Sequence, residues 1–163
     1  MALMAITPHI KDLDSFLQQC HLRPYGRGQA IINAGDVPQT LYYIVEGTVS
    51  VYLEEEDQRE MILSYLNPGD FFGEMGLFDT RNSRSACCRA KTPCEIAEIS
   101  YEQFNNYVQQ HPDLLFTLGQ QMAKRLRNTS RKVGDLAFYD VTGRIARTLI
   151  DLSREPSAMT HPD

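Results

Sequence analysis

The residues of this chain best equipped for chemistry lie between Gly69 and Ala86. In Gly69-Asp70-Phe71-Phe72-Gly73-Glu74-Met75-Gly76-Leu77-Phe78, Gly73 leads into a brief helical turn. Free N–H groups there can approach a phosphate closely, because glycine has no Cβ. Arg84 can fork onto two phosphate oxygens, and Ser85 adds a hydroxyl and an N–H. Glu74 cannot face a phosphate favourably, so beside an anion site it must accept a hydrogen bond from something else. A ribose 2′-hydroxyl is the obvious donor. One arginine matched against one carboxylate suits a singly charged phosphodiester better than a triphosphate. Taken alone, Glu74 and Arg84 also read as a surface salt bridge beside a Gly-rich turn.

Such a site needs elements that hold it. From Tyr25 to Ile99 short β-type runs are punctuated by glycine, which predicts an all-β unit. The runs are 29–32, 41–45, 48–53, 61–66, 84–90 and 94–99, with Val49, Val51 and Leu53 on one face. Gly35-Asp36, Glu46-Gly47 and Asn67-Pro68-Gly69-Asp70 carry the residues that tight turns require. Closely spaced antiparallel strands of this kind predict a barrel or jelly roll. Glu54-Glu55-Glu56-Asp57 reads as a solvated hairpin tip.

After Ser100 the period becomes helical. Ser100 caps a helix over Tyr101 to Gln110, with Gln103 placed for a capping box, and His111-Pro112 ends it. Asp113 to Phe138 contains no proline, and Leu115, Leu118, Met122, Leu126, Thr129, Val133 and Leu136 recur at steps of 3 or 4. That near-heptad stripe predicts a helix of about 25 residues spanning roughly 37 Å. Its narrow apolar seam suits a parallel partner helix across a twofold axis, packing along its own domain being the alternative. Asp140 reads as the N-cap of a last helix, Val141 to Ser153.

Composition narrows the function classes. The 163 residues are 42% hydrophobic and 23% charged, enough to bury one sizeable core, and no apolar run nears the roughly 20 residues of a membrane span. Met1 to Pro8 lacks the basic and long apolar regions of a secretory signal, so a cytoplasmic location is expected. Four cysteines without a C-x-x-C pair indicate neither a disulfide scaffold nor a zinc site. His9, His21, His111 and His161 are dispersed, and no serine or cysteine occupies a recognised nucleophile motif, so no enzyme is expected. Residues 1–123 hold 8 Lys/Arg against 16 Asp/Glu, whereas 124–147 hold 7 against 2. The acidic body repels nucleic-acid phosphates.

Phe71-Phe72-Gly73-Glu74-Met75-Gly76-Leu77-Phe78 with Arg84-Ser85-Ala86 resembles the phosphate-binding cassette of cyclic-nucleotide-binding domains. The likeness extends through Leu41 to Val45, Met61 to Asn67, Ala97 to Tyr101, Arg131 to Phe138 and Asp140 to Ala146, and is to the bacterial cyclic AMP receptor (catabolite activator) protein family. That resemblance implies a mainly β fold with α: a jelly-roll domain over 1–111, a dimerisation helix over 112–139, and over 140–163 a hinge and the start of a DNA-binding domain. It implies cyclic AMP as effector. Gly73 and Ser85 would be its phosphate contacts, Arg84 the phosphate fork, Glu74 the ribose acceptor, and Thr129 and Ser130 the adenine readers. In the family, the residue matching Ser130 reaches in from the other subunit of a homodimer, so the resemblance implies that ligand and dimer are coupled in an allosteric transcription regulator.

Three departures stand beside the likeness. Ala86-Cys87-Cys88 replaces a strand that carries tryptophan in well-known relatives, and the chain has no Trp. His21 and Arg23 suit the basic patch that relatives present to RNA polymerase, but Glu102 and Gln103 stand where lysines are expected. No helix-turn-helix follows, so DNA would be bound only through a missing C-terminal domain. The ending Thr160-His161-Pro162-Asp163 has no capping logic and is expected to be a cut in the hinge region. The alternatives are the same fold sensing cyclic di-GMP or cyclic GMP, and a ligand-free interaction module with a vestigial cassette.

Overall fold

The computed structural model describes residues 10–55 and 59–154. Glu56 and Asp57 of the acidic tip, and the terminal segments 1–9 and 155–163, lie outside the described residues. In chain order the elements are α1 (Leu13–Gln18), β1 (His21–Tyr25), β2 (Ala30–Ile32), β3 (Thr40–Glu46), β4 (Val49–Glu54), β5 (Glu60–Leu66), β6 (Phe71–Phe72), α2 (Met75–Phe78), β7 (Cys87–Ala90), β8 (Cys94–Ser100), α3 (Tyr101–Val108), α4 (Asp113–Phe138) and α5 (Val141–Arg154). The fold therefore combines antiparallel sheets with helices in a mixed α and β architecture. It has the strands and the long helix expected of a cyclic-nucleotide-binding jelly roll followed by a long helix, but more helix than the mainly β reading implied. Two compact units are distinguished, residues 1–122 and 123–163, and α4 runs through the boundary.

In the first unit the strands form two four-stranded sheets, ordered β1-β8-β3-β6 and β2-β7-β4-β5. Successive side chains of a strand face opposite ways, and this sorts the core into two clusters. Tyr43, Phe71, Ala97 and Ile99 pack with Phe16 of α1, Phe104 of α3 and Leu114 and Leu118 of α4. Their neighbours Ile44, Phe72 and Ile96 pack instead with Val49, Leu66, Cys88 and Ala90 of the second sheet. The sheet β1-β8-β3-β6 is covered on both faces, which is why runs such as Leu41 to Val45 are continuously apolar.

The predicted helix caps are present. Ser100 accepts from the Gln103 amide while the Gln103 side chain reaches back to the Ser100 N–H. Gln103 thus serves a capping box at a position where relatives were expected to carry a lysine. Asp140 accepts from the Gly143 amide at 2.8 Å, opening α5. The turn glycines Gly35, Gly47 and Gly69 all adopt positive φ.

Three details differ from the sequence reading. The strand expected from Arg84 begins at Cys87, because the Arg84 backbone is bonded instead to the Gly35-Asp36 turn, at 2.9 and 2.8 Å. Strand β1 lies upstream of the expected β region, and α1 was not anticipated. On α4, Leu114, Leu118 and Gln121 are buried whereas Leu115 is exposed. The inward face of the first turns therefore shares Leu118 and Met122 with the heptad stripe but uses Leu114 in place of Leu115 and adds Gln121.

Within the second unit, Arg131 pairs with Asp151 at 3.7 Å and Arg147 with Asp135 at 3.3 Å, tying α5 to the end of α4. Val133, Leu136, Val141, Ile145 and Leu149 are exposed. No helix among the described residues is long and apolar enough to cross a membrane.

Candidate functional site

Strand β6 ends at Phe72, and the chain turns through Gly73 and Glu74 into the single turn of α2. Gly73 sits at φ +73°, and a Cβ there would lie 2.9 Å from Arg84 Nη1, 3.0 Å from Tyr42 Cδ2 and 3.2 Å from the Thr40 carbonyl oxygen. Both the backbone conformation and the close approach exclude a side chain. Gly76 is crowded as well, its missing Cβ lying 2.6 Å from Pro38 Cβ and 2.7 Å from the Tyr101 hydroxyl.

Arg84 is fixed from several directions. Its Nη1 donates to the Gly73 carbonyl at 2.7 Å and to the Tyr101 hydroxyl at 3.0 Å, and Nη2 donates to the Thr40 carbonyl at 2.7 Å. The guanidinium carbon lies 5.7 Å from the Tyr42 ring centroid and 5.8 Å from that of Tyr101. A planar cation between two aromatic rings keeps its charge and orientation with little loss of rotamer freedom. These three acceptors are neutral oxygens, so the bonds hold the guanidinium without neutralising its charge.

Tyr101 closes the network by donating to the Gly73 carbonyl. Burial pushes its pKa above the ordinary range, with the Arg84 charge pulling the other way. Tyr101 therefore keeps its proton, and its donor role, at neutral pH. Burial also raises Tyr42, again opposed by Arg84.

Glu74 is buried, and Ser85 donates to Met75 Sδ at 3.3 Å. A cavity of about 100 Å3 beside the cassette is lined by Met75, Gly76, Asp79, Arg81, Ser83 and Ser85. The structure thus gathers Gly73, Glu74, Arg84 and Ser85 around one turn. Thr129 and Ser130 belong to the second unit, exposed on α4.

Sequence reasoning missed Thr40, Tyr101 and Gln121. Gln121 is 5% exposed; its Oε1 accepts from the Phe71 amide at 2.8 Å and its Nε2 donates to the Gly69 carbonyl at 2.8 Å. It satisfies two backbone groups of the strand that delivers Gly73. A signal existed: Gln121 lies three residues after Leu118 and seven after Leu114, a polar residue on the buried helical face. His21 and Arg23 are exposed on β1, with Arg23 5.2 Å from the Tyr25 ring centroid.

Comparison with known proteins agrees with this geometry. Residues 22–111 match the cyclic nucleotide-binding domain family. The chain is 56% identical to the cAMP-activated global transcriptional regulator Vfr of Pseudomonas aeruginosa over 166 residues, covering 100% of this chain and 78% of that protein. It is 56% identical to the cAMP-activated global transcriptional regulator CRP of Salmonella typhimurium, covering 93% of this chain and 72% of the relative. Among solved structures, the c-di-GMP-responsive global regulator CLP of Xanthomonas campestris superposes with a TM-score of 0.85 at 46% identity, covering 92% of this chain and 75% of that one.

Proposed function

This chain belongs to the cyclic nucleotide-binding domain family, within the group of cyclic AMP-activated transcription regulators, and from that premise we propose that it is the cyclic AMP-sensing, dimerising portion of such a regulator. One observation carries the reading: Arg84 is held between Tyr42 and Tyr101 against a Gly73 that admits no side chain.

The residues present fit the ligand. Arg84 and Ser85 supply a cation and a hydroxyl for a phosphodiester, Gly73 leaves backbone room, and Glu74 supplies the carboxylate that a ribose hydroxyl can donate to. A phosphate would compete with the Gly73 and Thr40 carbonyls for the Arg84 donors. In the present bonds only the donor is charged; a phosphate oxygen makes both partners charged and can take two parallel N–H bonds from the guanidinium, so the exchange favours the ligand. Thr129 and Ser130 would read the adenine. The domain boundaries we assign are 1–111 for the nucleotide-binding unit, 112–139 for the dimerisation helix and 140–163 for the hinge and the start of a DNA-binding domain.

Binding switches the protein only through a difference in affinity between its states. Cyclic AMP would favour the state of α4 and the hinge in which a helix-turn-helix domain following residue 163 reads DNA. His21 and Arg23 would offer a contact to RNA polymerase in the assembled complex. The chemistry assigned to the site is binding, and no catalytic role follows from it.

A second reading, cyclic di-GMP as effector, is favoured by the likeness to the Xanthomonas regulator. Competition separates the two. We expect cyclic AMP to displace a fluorescent cyclic AMP analogue at lower concentration than cyclic GMP or cyclic di-GMP. Preferential displacement by cyclic di-GMP would replace the first reading with the second.

A further inference from the structure

We propose that the outer face of the sheet β2-β7-β4-β5 carries a second anion site, built from Arg27, Arg89 and Lys91, that takes the phosphate of a small phosphomonoester. Strand register turns Arg89 away from the core between the sheets. Val49 pairs with Ala90 and Leu66, and all three lie in the core cluster between the sheets. The next residue, Ser50, pairs with Arg89 and Tyr65, so these three face the opposite way.

There a cavity of about 260 Å3 is lined by Arg27, Arg89, Lys91, Ser50, Ile62 and Tyr65 together with Gly28 and Ala90. Three of the eight cationic residues among 1–123 line it, and no acidic one among the described residues does.

The cations are positioned by the fold. Arg27 sits in the turn Gly26-Arg27-Gly28-Gln29, where Gly28 has φ +81° and Gln29 N–H donates to the Gly26 carbonyl at 3.0 Å. That turn is stitched to the end of β7: Gly28 N–H donates to the Ala90 carbonyl at 2.7 Å, and Ala90 N–H to the Gln29 carbonyl at 3.0 Å. Lys91 Nζ lies 3.9 Å from the Tyr65 ring centroid. Arg89 lies 4.5 Å from the Tyr52 centroid and donates through Nη1 to Glu60 at 2.7 Å and through Nη2 to the same carboxylate.

Glu60 thus balances Arg89, whereas Arg27 and Lys91 make no ion pair among the described residues. Two uncompensated cations on an otherwise acidic unit match a phosphomonoester, which carries close to two negative charges near neutrality. Tyr65 and Ile62 supply an apolar wall for the group that bears the phosphate. The volume falls below the 300–1,000 Å3 of ordinary ligand pockets, which favours a small ester over a dinucleotide.

The test is titration of the 15N-labelled chain, saturated with cyclic AMP, with AMP, inorganic phosphate and a short DNA duplex. We expect saturable amide shifts at Gly28, Ala90 and Lys91 with AMP, retained in Arg84→Leu and weakened about tenfold or more in Arg27→Gln/Lys91→Gln. Both substituted residues are exposed, so the fold is expected to persist, checked by unchanged core resonances. Retention in Arg84→Leu separates this site from the cassette, whatever the cassette binds. Absence of saturable shifts, or equal shifts in the double variant, would overturn the proposal. Shifts with the duplex alone would overturn it too, by assigning the face to a nucleic-acid backbone.

Discussion

At Gly73 a methyl group is enough to disturb the site. Its Cβ would stand 2.9 Å from the Arg84 nitrogen that bonds the Gly73 carbonyl, in a backbone conformation that L residues rarely adopt. Gly73→Ala is therefore expected to cost about 1–2 kcal/mol of stability and to weaken nucleotide binding by displacing Arg84. Thermal unfolding with and without cyclic AMP measures both, and wild-type behaviour in each would contradict the geometry. The clustering of Gly73, Glu74, Arg84 and Ser85 at one turn was legible because they fall within thirteen consecutive residues of the chain, where spacing carries information. The partners of Arg84 were not. Thr40 is 44 residues away and Tyr101 is 17 away, and Thr40 acts through its carbonyl, which every residue type possesses.

Among the elements, β6 depends on α4. It has only two residues, and Gln121 satisfies both the Phe71 amide and the Gly69 carbonyl. Replacing Gln121 with Leu leaves two polar backbone groups without those partners, at an expected cost of about 2–4 kcal/mol. Chemical denaturation should show it, together with faster exchange of the Phe71 amide; an unchanged midpoint would show that water replaces the glutamine. The long helices and most strands were readable from period and caps: the bounds of α4 match the proline-free stretch, and Ser100 and Asp140 begin their helices. Helix α1 has six residues, too few for a period to register, and β1 presents four exposed residues and a proline, so no alternation marks it. Gln121 escaped notice because a polar residue does not contribute to an apolar stripe.

For the whole molecule, the apolar seam of α4 beyond residue 122 decides the assembly. Leu126 and Val133 are 69% and 60% exposed in the single chain, a costly arrangement unless a partner covers them. We expect a homodimer at micromolar concentration and a monomer for Leu126→Glu, both read by sedimentation; a monomeric parent chain would refute the helix pairing. Cyclic AMP recognition by the whole chain rests on Arg84, and calorimetry of the parent chain against Arg84→Leu measures it. We expect one cyclic AMP bound per protomer, with roughly 3 kcal/mol or more lost in the variant as two charge-assisted bonds disappear. An absence of saturable binding in the parent chain, or equal affinity in Arg84→Leu, would contradict the account.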